Sequence, residues 1–200
     1  MQQAELKALI KSLKAKVAKY HQHIEQYKKA RPYVGEEKAV PGRPIMFRDF
    51  VNQHNPAGAK VNSLVLVFLY RESSTQERPH KLAVHNICSD PKSQSCDAWF
   101  VKDVLDHHLS GRSKVGDDLI ARQKKLAQEA GIEFAILVSG DHGPHFSSLR
   151  TFYNNTLWHA LYGIVISDSF LCSYHAYNHC DGAGQVSKRL SGAALREGNA

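Results

Sequence analysis

"IMFRDFVNQHNPAGAKVNSLVLVFLYRESSTQERPHKLAVHNIC", residues 45–88, reads as three strands in succession. Strands are expected at Ile45 to Val51, Val61 to Tyr70 and Lys81 to Cys88, and the joins "NQHNPAG" and "ESSTQERP" are rich in turn formers. The middle stretch, "LVLVFLY" from Leu64 to Tyr70, is apolar without alternation, the pattern of a strand covered on both faces. Short polar joins between consecutive strands make an antiparallel meander. A Rossmann chain would begin βαβ instead, and neither its glycine fingerprint nor a phosphate-binding P-loop occurs in the sequence.

Beyond the meander the period changes. "CDAWFVKDVLDHHL" has helical spacing at Trp99, Val101, Val104, Leu105 and Leu109, and "DDLIARQKKLAQEAG" follows as a second helix closed by Gly131. Then come a strand from Glu133 to Ser139, a helix from about Ser147 to Tyr162 with Tyr153, Trp158 and Tyr162 as core, a strand from Ile164 to Cys172, and a helix beyond Gly182. The order β-β-β-α(α)-β-α-β-α is the layout of the ribonuclease-H-like fold. The expected class is therefore α/β, a mixed five-stranded sheet flanked by helices.

Ahead of the meander, residues 4–30 carry Leu6, Leu9, Ile10, Leu13, Val17, Tyr20, Ile24 and Tyr27 at spacings of three and four, an amphipathic helix with lysines filling much of its other face. Such a helix packs on its own domain or on a partner helix, and a homo-oligomer through it is one expectation. Residues 31–44, "RPYVGEEKAVPGRP", have three prolines and two glycines and read as a linker. The organisation is helix 1–30, linker 31–44 and a catalytic-type domain over 45–200.

Two hundred residues with 42% hydrophobic content suffice for one globular domain with a real core. No apolar run approaches the ~20 residues of a membrane-spanning helix, and the charged N-terminal pattern lacks the apolar core of a signal peptide. Four cysteines, Cys88, Cys96, Cys172 and Cys180, are too few for a disulfide framework in a chain this long, which points to reduced thiols inside a cell. The formal net charge of +7 makes a polyanion a natural partner without naming one.

Reactive groups in an open α/β sheet gather at strand ends. Asp49 lies near the end of the first strand in "IMFRDFVN", Asp141 ends the fourth in "AILVSGDHGPHF", and Asp181 opens the last helix in "YNHCDGAG". Three carboxylates are what two-metal phosphoryl transfer requires: hard oxygens holding a pair of Mg²⁺ or Mn²⁺ ions ~4 Å apart, one for the attacking oxygen and one for the leaving oxygen. Gly140, Gly143 and Gly182 would admit a close approach of backbone and phosphate. Each aspartate has an ordinary alternative as turn former or helix start. Asp90, Asp97 and Asp103 are rival acids that rank behind these three.

These segments resemble a known family. "SGDHGPHF" is similar to the S-D-x-G-x-x-F turn of DDE-type transposases and retroviral-integrase-like domains, "IMFRDFVN" to their first-aspartate strand, and "YHAYNHCDGAGQVSKRL" to the H-G-K-G-x-C-D-G-x-G-x-x-K-R segment of some eukaryotic mobile-element transposases. The likeness covers about residues 44–190, and its last segment is the most specific. It implies a divalent-metal-dependent core for DNA strand cleavage and transfer, with Asp49, Asp141 and Asp181 as the acidic triad, DNA as partner and, for a eukaryotic source, a nuclear location. The chain departs from the pattern at "HAYNH" and at Gly140, which stands between the serine and the aspartate.

Cys172, His175, His179 and Cys180 have residue types and spacings that zinc accepts, although four ligands within nine residues close a tetrahedral shell with difficulty. The other reading puts His175 and His179, with His142 and His145, at the rim of the carboxylate site, contacting phosphate or supporting the metal shell. Lys188 and Arg189, two turns past Asp181, could hold a phosphate backbone or form a solvated face. A module of the same fold without catalysis, acting in nucleic-acid binding or oligomerisation, is the alternative from another class, and a zinc hydrolase the third.

Overall fold

The computed structural model describes residues 3–54, 60–87, 98–114, 116–141, 143, 145–171 and 179–196, with the side chains of Asp141 and of several element ends outside that description. Five strands form one mixed sheet in the order β3-β2-β1-β4-β5. They are β1 (Ile45–His54), β2 (Lys60–Tyr70), β3 (His80–Ile87), β4 (Ala135–Asp141) and β5 (Val165–Leu171). β2 runs against its neighbours β1 and β3, whereas β1, β4 and β5 are mutually parallel. This is the ribonuclease-H-like arrangement expected from the element order.

The connections dictate the layers. Parallel neighbours need crossovers, which helices supply: α2 (Ala98–Leu109) and α3 (Ala121–Glu129) lead from β3 to β4, and α4 (Leu149–Tyr162) leads from β4 to β5. One face of the sheet, with Met46, Leu66, Phe68, Ile136 and Val138, packs against Leu105 and Leu109 of α2, Ala127 of α3 and Trp158 of α4. The other face, with Ile45, Phe47, Val65 and Val67, packs against Ala39 and against Cys180 and Ala183 of α5 (His179–Arg196). Because alternate side chains of β2 enter different cores, Leu64 through Leu69 are all nearly inaccessible. The indole of Trp158 donates to Asp106, which also pairs with Lys102, fastening α4 to α2.

Three sequence expectations shift. On α4 the buried positions are Thr151, Asn154 and Trp158. Tyr153 is rotated off that face and is exposed rather than core, while Tyr162 is half-buried. The first helix, α1 (Gln3–Val34), takes up the first four residues of the expected linker and continues two residues past Pro32. The rest of that linker is folded: Ala39 is fully buried, and Gly42, at φ +80°, donates its N–H to Gln123 Oε1 at 2.9 Å. A Cβ on Gly42 would lie 2.7 Å from the Ala127 backbone, so both the left-handed conformation and the close approach to α3 require glycine there. No described helix is long and apolar enough to cross a membrane.

Candidate active site

The central pair β1 and β4 is the point where the chain departs in opposite directions across the sheet, and ligands in open α/β sheets bind beyond the carboxyl ends of strands at such a switch point. The parallel register runs from Ile45 beside Leu137 to Arg48 beside Gly140. The pairing ends there; carried one residue further, the same register would set Asp49 beside Asp141, the last residue of β4. Asp49 does not end its strand. β1 runs on to His54 in its pairing with β2, and Asp49 marks where its pairing with β4 stops. It is half-buried, and its Oδ1 accepts the Phe50 N–H at 2.8 Å.

Asp181 arrives on α5. That helix begins at His179, so Asp181 lies inside its first turn, where a carboxylate is favoured by the helix dipole. Three contacts seat the start of α5 along one face of β1 and β2. The His179 ring meets the edge of Phe47 at 4.7 Å, the Cys180 thiol donates to Val65 O at 3.4 Å, and Gly184 lies so close to Val51 that a Cβ would be 2.8 Å from its Cγ1. Val65 is the antiparallel partner of Asp49. The Cys180 contact therefore sets the start of α5 over the rung that holds Asp49. Burial pushes the Cys180 thiol well above its usual range, and the carboxylates of Asp49 and Asp181 push it the same way, which places both acids near one sulfur.

The other expected site residues divide. His145 is half-buried and packs edge-on against Phe50 at 4.8 Å and Phe146 at 4.3 Å, so its ring belongs to an aromatic cluster on the α2 and α4 face. His179 is engaged on both ring nitrogens: Nδ1 lies 3.3 Å from Lys81 Nζ and Nε2 lies 3.4 Å from Glu36 Oε1. Burial, with Lys81 adding to it, lowers its pKa despite Glu36, so it is held neutral. Lys188 and Arg189 are exposed on α5. His142, His175, Cys172, Asp90 and Asp97 lie outside the described residues. Asp103 is exposed on α2. Among the described residues no three His, Cys, Asp or Glu side chains form a metal-sized group.

Sequence reasoning overlooked a pair behind the site. Arg48, fully buried, donates through Nη2 to Asp168 Oδ1 at 2.7 Å and to Phe146 O at 3.4 Å, and its guanidinium stacks 4.8 Å from the Phe146 ring. Asn155 of α4 donates to the other oxygen of Asp168. A Cβ on Gly140 would lie 3.2 Å from Arg48 Cγ, so the residue that departs from the transposase-like pattern sits hard against this arginine. The signal was present as an arginine inside "IMFRDF", next to Asp49, and one aspartate inside "VISDSFL".

No protein-family model and no curated sequence matches the chain. Among solved structures it is similar to the catalytic core domain of BIV integrase at 14% identity and a TM-score of 0.32, over 73% of this chain and 64% of that one. It is also similar to the catalytic domain of Mos1 mariner transposase at 10% identity and a TM-score of 0.32, over 86% of this chain and 66% of that one. A foamy viral protease-reverse transcriptase in complex with dsDNA gives 10% identity and 0.30, over 74% and 90%. The chain thus spans just under two thirds of the length of the first two. These likenesses are weak, and the fold assignment rests on strand order and register.

Proposed function

We propose that the chain is a polynucleotidyl-transferase or nuclease core of the transposase and integrase type, in which Asp49, Asp141 and Asp181 hold divalent metal for DNA strand cleavage and transfer. The observation that supports this reading is an alignment: the β1–β4 register, which ends at Arg48 beside Gly140, would set Asp49 next to Asp141 if carried one residue further, and Asp181 follows Cys180, whose thiol donates to Val65, the β2 partner of Asp49. Fold alone would not suffice, since one fold hosts many activities.

The donor set suits Mg²⁺ or Mn²⁺. Three carboxylates are hard oxygen ligands, and the neighbouring Cys180 is buried with its thiol donating to Val65 O. When bound, the metal ions would supply activation of the attacking oxygen and neutralisation of the leaving one. The protein's part is positioning. Arg48 with Asp168 ties β1 to β5, the Cys180 and Gly184 contacts fix the height of Asp181, and Lys188 and Arg189, roughly 10 Å further along α5, are placed to hold backbone phosphates. DNA as the partner follows from this reading, and in a eukaryotic cell a nuclear location with it.

A calorimetric Mn²⁺ titration of the chain beside its Asp49→Ala, Asp141→Ala and Asp181→Ala variants tests it, with circular dichroism to establish that each is folded. Binding that each substitution abolishes, with metal-dependent nicking of a DNA duplex lost in parallel, is the expected result. Equal binding in all four proteins would sink the reading. One observation favours a non-catalytic binding module instead: eight of the 26 lysines and arginines but two of the 19 acids lie in α1, leaving 18 against 17 elsewhere. On that account the aspartate variants would bind DNA and partners as the parent does.

A further inference from the structure

Every described side chain of α1 from residue 5 to residue 22 is exposed, so the contact α1 makes with β4 and β5 falls toward its other end. Among the described residues that stretch, roughly 27 Å of helix, buries none of its side chains. Yet it is not polar all round. Leu6, Ile10, Leu13, Val17 and Tyr20 are 44% to 64% exposed, and their spacing alternates four and three. Ile10 and Val17 fall at one heptad position, Leu6, Leu13 and Tyr20 at the other. Continued to Ile24 and Tyr27, the pattern is a coiled-coil seam with β-branched residues at a and mainly Leu or Tyr at d.

The flanks of the seam decide what can cover it. At e stand Lys7, Lys14, His21 and Lys28, and at g Leu9, Lys16, His23 and Ala30, with no acid at either position. A second copy would offer these lysines no acid in either orientation, because parallel helices oppose g to e and antiparallel helices oppose like positions. Nucleic acid would satisfy the lysines but leave the seam in water. We propose that α1 is one strand of a heteromeric coiled coil, and that its partner is an amphipathic helix with Glu or Asp on both flanks of an apolar heptad seam.

The test uses the full chain and two synthetic four-heptad peptides, both with Ile at a and Leu at d, one with Glu and the other with Lys at e and g. Fluorescence anisotropy is expected to show one-to-one binding of the Glu peptide, at least about tenfold tighter than the Lys peptide. Leu13→Glu with Val17→Glu should abolish that binding. Because both side chains are exposed, circular dichroism should show the sheet domain retained. Reversing Lys7, Lys14, Lys16 and Lys28 to Glu should switch the preference to the Lys peptide. Equal affinity for the two peptides, or none for either, overturns the proposal. So does a stable dimer of the chain in light scattering that the Glu peptide fails to dissociate, or capture of a DNA duplex by α1 that the Glu peptide fails to displace.

Discussion

Arg48 shows how much a single buried charge can decide. Its guanidinium has lost water completely, and Asp168, whose side chain is 6% exposed, shares that environment. Replacing the arginine alone leaves a carboxylate facing Asn155 without its cation. Arg48→Leu should therefore cost about 3–5 kcal/mol in urea denaturation, while Arg48→Met combined with Asp168→Leu should cost much less, since removing both charges removes the desolvation penalty with them. His108 is a second such residue. It is buried, its Nε2–H donates to Asn86 Oδ1 at 2.9 Å, and its Nδ1 accepts from Ser113 at 2.8 Å, a neutral tautomer fixed because the Asn86 amide N–H is spent on Leu64 O. Burial, then the neighbouring His107, lowers its pKa. The unfolded chain titrates near the ordinary value of about 6.5 and so takes up a proton that the folded chain refuses. Stability from this site is complete above that value and is lost as pH falls through it toward the lower folded value. Thermal melts from pH 7.5 downward should show this loss, and His108→Gln should flatten it, at a cost of about 1–3 kcal/mol at neutral pH. Neither partnership was legible in the sequence, because an Arg or His among apolar residues does not reveal a partner 120 or 22 positions away.

Elements were more legible than residues. The apolar run of β2 and the turn chemistry around it gave the meander, and the change of period after β3 gave the crossovers; the strand order then follows from short connections. The misses fell where an element runs past its sequence signal. β1 extends beyond Asp49 because β2 continues to pair with it, and α1 extends through Pro32 at the loss of one N–H donor in its last turn. Of the site, the separation of 92 residues between Asp49 and Asp141 proved equal to the register offset between Arg48 and Gly140, something no local pattern encodes. The two glycines flanking Ala183 in α5 look alike in sequence and differ in structure. A Cβ at Gly182 meets nothing within 4 Å, whereas one at Gly184 strikes the stiff Val51 side chain. Gly182→Ala should stabilise by about 0.5–1 kcal/mol through helix propensity. Gly184→Ala should instead destabilise by about 1–2 kcal/mol, since overpacking outweighs that gain. It should also weaken Mn²⁺ binding, because α5 must lift away from β1 and carry Asp181 with it. A Gly184→Ala protein with parental Mn²⁺ affinity would show that the height of α5 does not govern the site.

At the scale of the whole molecule, charge and fold are separate. The α/β body is nearly neutral, and the excess positive charge that the composition shows belongs to a helix that projects from it. Any affinity for a polyanion then has two sources with different signatures. Contacts from Lys188 and Arg189 beside the carboxylate rung would be few, whereas contacts from α1 would be many and indifferent to the site. Counterion release separates them, because each neutralised phosphate adds about 0.9 to the slope of log affinity against log salt for duplex DNA. Lys188→Gln with Arg189→Gln should lower that slope by up to about 2 if α5 engages the backbone at the site. Lys-to-Gln changes at residues 7, 11, 14, 16 and 19 should lower it by more if α1 supplies the general attraction. An acidic helix paired with α1 should then act as those substitutions do, masking the cations and leaving the α5 contribution in place. If the slope falls with the α1 changes and is untouched by those on α5, Lys188 and Arg189 make no phosphate contact, and the proposed strand-transfer site would have to receive DNA through other cations of the body or from another chain.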